Sequence, residues 1–140
     1  MQISDHYRPF EKKVVIAVTN NERARLLCAE GRVVDEIEVI ETPETAATER
    51  SMSKHGQGEP DFDAMKVHRL KELYSALGDR LRQMLDHEGY EEAIVCVPEV
   101  NKNTFTDHLP GDMQKKITEV VPKNLASMDI LHIVRILLEG

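Results

Sequence analysis

The sequence predicts an α/β fold: a mixed five-stranded sheet, made of an antiparallel three-strand meander plus two further strands, with helices on both faces. Three observations predict it. Between Lys13 and Glu41 three β-branched runs are separated by short turns. From Leu70 to Leu85 apolar residues recur at helical spacing, and the nearly all-apolar run Ala93–Val97 follows. A last apolar-rich stretch, Met128–Leu138, has the spacing of a helix that packs on a sheet. At 140 residues the chain has the length of one domain, long enough to bury a core without disulfides or metals.

Lys13–Thr19 reads as the first strand, ending at Asn20-Asn21, a pair that tolerates the left-handed angles of a tight turn. Glu22–Glu30 alternates Ala24, Leu26 and Cys28 with Arg23, Arg25 and Leu27, and Gly31 breaks it before the third run. That run, Arg32–Glu41, places Val33, Ile37 and Val39 on one face, with Asp35 and Glu41 in phase as imperfections. Segment Thr42–Asp61 has no apolar periodicity. The long helix then carries Leu70, Leu73, Tyr74, Leu77, Leu81, Met84 and Leu85, with Asp61 or Asp63 suited to cap its start and Gly89 to follow its end. Ala93–Val97 has the composition of a central strand covered on both faces and reached by a helical crossover, hence parallel to an earlier strand. Asn101 is placed to cap a short helix through Thr104 and Phe105 to about Leu109. Pro110-Gly111 breaks the chain, Lys116–Val121 reads as the last strand, and Pro122 closes it. In the final helix Ile130, Ile133, Val134, Leu137 and Leu138 share a broad face.

Composition narrows the function classes. The net charge of −7 opposes indiscriminate nucleic-acid binding, which depends on Lys and Arg displacing counterions, and leaves local basic patches. Cys28 and Cys96 each sit in an apolar run and read as reduced core residues. No apolar run approaches the roughly 20 residues that span a bilayer, and the first residues lack a signal peptide's pattern; a cytoplasmic, non-membrane protein is expected. His6, His55, His68, His87, His108 and His132 lack metal-ligand spacing, so neither a metal nor another cofactor is expected. Glu59, Asp61 and Asp63 form a small acidic cluster that reads more simply as helix capping than as a cation site. Gly-x-Ser-x-Gly and the phosphate-binding Gly-x-x-x-x-Gly-Lys are both missing, which removes support from ordinary hydrolase and nucleotidase readings.

One stretch within Thr42–Asp61 stands apart. In Ser53-Lys54-His55-Gly56-Gln57-Gly58-Glu59-Pro60, two glycines permit unusual backbone angles beside a cation and a proton carrier. A stretch of this length without periodicity is either a functional loop or a solvated, mobile insertion, and mobility over about 42–61 is expected. Lys54-His55-Gly56-Gln57-Gly58, between a meander and a long charged helix, resembles the catalytic loop of the middle domain of archaeo-eukaryotic peptide-chain release factors, which carry Lys-His-Gly-Arg-Gly-Gly-Gln there. The likeness continues through Ala93–Val97, Thr104-Phe105 and Met113–Val121, and covers Lys13–Leu138. Val121-Pro122-Lys123-Asn124-Leu125 also resembles the bacterial release-factor-like proteins labelled host-attachment or translational-machinery proteins.

The resemblance implies a ribonuclease-H-like core, a single middle-domain-like unit over residues 1–140, and a link to the peptidyl-transferase centre, where the family's Gly-Gly-Gln tip helps water attack peptidyl-tRNA. Here Gly58 matches the first motif glycine, but Glu59 replaces the second and Pro60 stands at the glutamine. Proline fixes φ and has no N–H, and an anionic Glu59 is repelled by RNA phosphate. Three readings follow. The first is a ribosome- or tRNA-interacting protein without hydrolase activity, with Lys54, His55, Gly56, Gln57, Gly58, Lys66, Arg69 and Lys71 as contacts; the same charges also fit a solvated helix face. The second is a peptidyl-tRNA or ester hydrolase using Gln57, with His55 as proton carrier. The third is a protein-interaction module or homodimer, favoured by the acidic surface and the apolar last helix. Without anticodon-reading and partner-binding domains, stop-codon recognition is not expected.

Overall fold

The structure, a computed structural model, describes residues 1–41 and 62–139, with side chains from residue 67 in the second stretch. The loop expected over about 42–61 lies outside the described residues. Among those described lies one sheet of five strands, β1 (Phe10–Thr19), β2 (Arg23–Gly31), β3 (Val33–Glu41), β4 (Glu92–Cys96) and β5 (Ile117–Val121). Its order is β3-β2-β1-β4-β5. The first three strands pair antiparallel, while β4 runs parallel to β1 and β5 parallel to β4. This is the expected mixed sheet, and β1 lies at its centre with every residue from Val14 to Thr19 buried.

Alternation along β1 divides the core into two layers. Val15 and Ala17 join Ala24, Leu26, Val95 and the long helix α1 (Phe62–His87) on one side. Val14, Ile16 and Val18 join Leu27, Ala29, Val34 and the last helix, α4 (Ile130–Glu139), on the other. A strand buried on both faces needs apolar residues at both parities, which is why β1 and β4 read as continuous apolar runs. Helix α1 buries the expected seam of Leu70, Leu73, Tyr74, Leu77, Leu81 and Met84. It ends where Gly89 takes a φ of 80°, the left-handed position that follows a helix terminus. Asp61 and Asp63, the expected caps, lie outside the described side chains.

Several boundaries and phases differ from the sequence reading, each for a physical reason. The β1–β2 turn uses no left-handed asparagine. Asn20 instead accepts the N–H groups of Glu22 and Arg23 on its side-chain oxygen, both at 2.8 Å, so a side chain does the work of a turn backbone. In β3 the pairing slips between Leu26 and Leu27, which face Glu38 and Glu36, and Ile37 is the extra residue of a β-bulge. The bulge reverses the alternation: Val33 and Val39 fall on opposite faces and both are exposed, as is Ile37, while Val34 and Ile40 turn inward. The single apolar face expected for this strand is therefore absent.

Beyond β4, a 3-10 turn (Glu99–Asn101) leads into α2 (Lys102–Asp107), and a further short helix, α3 (Gly111–Lys116), precedes β5. Helix α3 escaped the sequence reading because only Met113 anchors it, buried with its N–H bonded to the Pro110 carbonyl at 2.9 Å. Helix α4 starts later than expected, at Ile130, because Asp129 occupies the cap and accepts the His132 N–H at 2.9 Å. Ile133 and Val134 are buried, but Leu138 is exposed and not part of the packed face. Cys28 and Cys96 are both unpaired thiols, the first half-buried and the second buried. Among the described residues no helix is long and apolar enough to cross a membrane.

Candidate functional site

The chain runs from β1 to β2 and β3 on one side, then crosses through α1 to β4 on the other. In open α/β sheets such a switch point leaves a crevice at the carboxyl ends of the parallel strands. Here that end is formed by Thr19 of β1, Cys96 of β4, and the segments that follow them.

A chain of neutral polar groups fills it. The Thr19 hydroxyl donates to the Cys96 carbonyl at 3.1 Å and lies 3.4 Å from the Tyr74 hydroxyl of α1. Asn101, at the cap position of α2, makes no capping bond; its amide instead donates to Asn21 at 2.6 Å, joining the turn after β4 to the turn after β1. Thr19 and Tyr74 are buried and Asn101 is 7% exposed, so each polar group is satisfied where water cannot reach it. Burial pushes the Tyr74 phenol up from its usual value against the opposing hydrogen bonds of Thr19 and Asn101, and it stays neutral. Phe105 packs edge-on against the Tyr74 ring at 5.3 Å. Such a set holds α1 against the sheet. Among the described residues it contains no carboxylate, imidazole or thiol side chain.

The cations of the chain divide into paired and unpaired ones, and at this end Arg23 is paired with Glu41 at 3.2 Å. Arg80 grips Glu38 and Glu88, Arg82 pairs with Asp112, and Lys116 with Asp86. Arg25 pairs with Glu36 and donates to the carbonyls of Ala126 and Met128, tying the approach to α4 onto β2. By contrast, the side chains of Arg8, Arg69, Lys71, Lys102, Lys115 and Lys123 make neither ion pair nor hydrogen bond with a described residue. Four of these six cluster at the carboxyl end. Lys102 and Lys123 follow β4 and β5, and Arg69 and Lys71 precede Tyr74 on the part of α1 that runs outward past Thr19. Val100 stands among them 87% exposed. The exposed carboxylates Glu22 and Glu99 share the same end.

Of the contacts expected from sequence, Lys54, His55, Gly56, Gln57 and Gly58 lie outside the described residues. Lys66 lies on α1, with its side chain likewise outside them. Arg69 is half-buried and Lys71 exposed. Two residues apart on a helix, they point to different sides rather than forming one contact. Thr19, Asn21, Tyr74 and Asn101 were not singled out as a group: the Asn101–Asn21 bond spans 80 positions, and no local pattern announces it.

Residues 5–131 match the family described as Bacterial archaeo-eukaryotic release factor family 10. No curated protein matches the chain. Among solved structures, the archaeal translation termination factor aRF1 superposes with a TM-score of 0.53 at 14% identity, over 81% of this chain and 30% of that one. Dom34 of S. cerevisiae, described as a translation termination-like factor, gives 0.46 at 10% identity, over 91% of this chain and 36% of that one. The chain thus spans about a third of the length of each, and the likeness to aRF1 is one of fold.

Proposed function

Because the chain belongs to bacterial archaeo-eukaryotic release factor family 10, and is in that coarse sense a translation-related protein, we propose that it binds the ribosome or tRNA without hydrolysing peptidyl-tRNA. The observation that carries the binding half is the distribution of unpaired cations: four of six gather at the end of the sheet from which α1 projects. Cations held by carboxylates are already neutralised. Free ones at one end of an acidic chain give a local site for phosphate on a surface that otherwise repels it.

The non-hydrolytic half rests on sequence. Gly58-Glu59-Pro60 stands where the resemblance places Gly-Gly-Gln, and without that tip the positioning of water that lowers the barrier loses its support. Sedimentation with ribosomes and a release assay on ribosome-bound peptidyl-tRNA test the two halves separately. The protein is expected to co-migrate, to dissociate as salt rises or on Lys54→Ala, and to release no peptide. Release that Gln57→Ala abolishes would overturn the non-hydrolytic half. Absence of co-migration at low salt would overturn the binding half.

A further inference from the structure

We infer that the carboxyl ends of β4 and β5 form an RNA-phosphate contact of their own, made by Lys102 and Lys123. This inference rests on the translation-partner reading above and extends it away from α1. The two lysines belong to neighbouring strand ends: the Val97 N–H donates to the Val121 carbonyl at 3.0 Å, Lys123 follows two residues later, and Lys102 opens α2 just past the 3-10 turn. Both lysines are exposed, and neither meets a carboxylate of the described residues although Glu99 is three positions from Lys102.

For Lys102 the fold supplies no stabilising role. Lys102 is the first residue of a helix, where the positive end of the backbone dipole disfavours a cation. The cap residue before it is committed to Asn21 rather than to the helix. A charge placed where it costs the fold something, on a turn tied by the Asn101–Asn21 hydrogen bond, has the character of a binding group on a fixed support. Exposed Asn103 and Asn124 lie next to the two lysines in sequence. Amides add donors for phosphate and both donors and acceptors for ribose hydroxyls, which favours RNA over an acidic peptide. Glu22 and Glu99 at the same end confine the contact to a few phosphates.

The test measures equilibrium binding of the full chain to purified large ribosomal subunits and to bulk deacylated tRNA across a salt series. Removing a lysine that neutralises one phosphate should flatten the log-affinity against log-salt slope by about 1, so Lys102→Ala/Lys123→Ala should lower it by up to about 2. The thermal melt of this variant should match the wild type. Lys115→Ala, at the opposite end of the sheet, should leave the slope unchanged. Wild-type affinity and slope in the double variant would overturn the inference and leave the parent reading standing. An equal effect of Lys115→Ala would reduce it to generic charge and overturn it too. Weakening that persists without salt dependence after ribonuclease treatment would assign the surface to a protein partner and overturn the RNA class. Failure of the wild type to bind either probe would bring down the parent reading itself.

Discussion

Where β4 begins, a clamp of charges joins three elements; where it ends, neutral groups make the buried ties. At the amino end Arg80 spans Glu38 of β3 and Glu88 beyond α1, with hydrogen bonds of 3.0 Å and 3.1 Å to Glu38. Lys13 donates to the Glu88 carbonyl and lies 4.4 Å over the Tyr90 ring. At the carboxyl end the buried bonds of Thr19 are between neutral groups, and although Arg23 pairs with Glu41 there, Lys102 and Lys123 meet no carboxylate of the described residues. The amino end is thus held by a charged clamp. The other leans more on hydroxyls and amides.

The largest effect expected on this contrast is on α1, which serves both ends. Leu77 is fully buried in the half that packs on the sheet, and Leu77→Ala should cost about 2 to 5 kcal/mol in chemical denaturation. Val67, exposed in the outward half, should change stability by no more than about 0.5 kcal/mol on truncation. Equal losses at the two positions would mean that the outward half is as tightly packed as the inner one, and the contrast would fail.

A smaller effect sharpens the contrast by pH. The Arg80 hydrogen bond holds the Glu88 carboxyl below the usual carboxylate range, and Lys116 does the same for Asp86. A depressed folded-state value means that this stability is present above the ordinary carboxylate range and is lost as pH falls through the lowered one. Arg80→Ala should therefore reduce stability near neutral pH and flatten the acid limb of the stability profile. Lys71→Ala should leave that limb as it is. An unchanged acid limb in Arg80→Ala would show that the clamp contributes nothing.

The smallest effect concerns the thiols. Burial pushes the Cys96 thiol up to about 12, so it should resist alkylation in the folded protein at mildly alkaline pH while half-buried Cys28 reacts first. A raised value reverses the sign argument. The stabilisation is complete below the thiol's unfolded pKa and is lost as pH climbs towards 12. Faster labelling of Cys96 than of Cys28 would show that the carboxyl end opens readily.

Most of the fold was legible because it follows local periodicity. The seam from Leu70 to Met84 announces α1, and the two parities of Val14–Val18 announce a strand buried on both faces. What escaped depends on single residues or distant pairs. One extra residue at Ile37 reverses the phase of β3, and one buried methionine holds α3. The site divides in the same way. Arg69 and Lys71 were legible as charges on a helix, but Thr19, Tyr74 and Asn101 meet only because the sheet brings β1, α1 and the turn after β4 together. Residue type gave no sign of it, since each reads in sequence as an ordinary strand, core or cap residue.

In mechanical terms, α1 is a beam clamped along its length rather than hinged at one point. The clamp runs from Leu70 to Met84, with Tyr74 inside it. Eight residues separate Leu70 from the helix's first residue, Phe62, about 12 Å at the ordinary helical rise. A tilt of about 10° at Leu70 would sweep that end through roughly 2 Å, so its direction is held by the whole buried seam, of which the Thr19 contact and Phe105 behind the Tyr74 ring are one part.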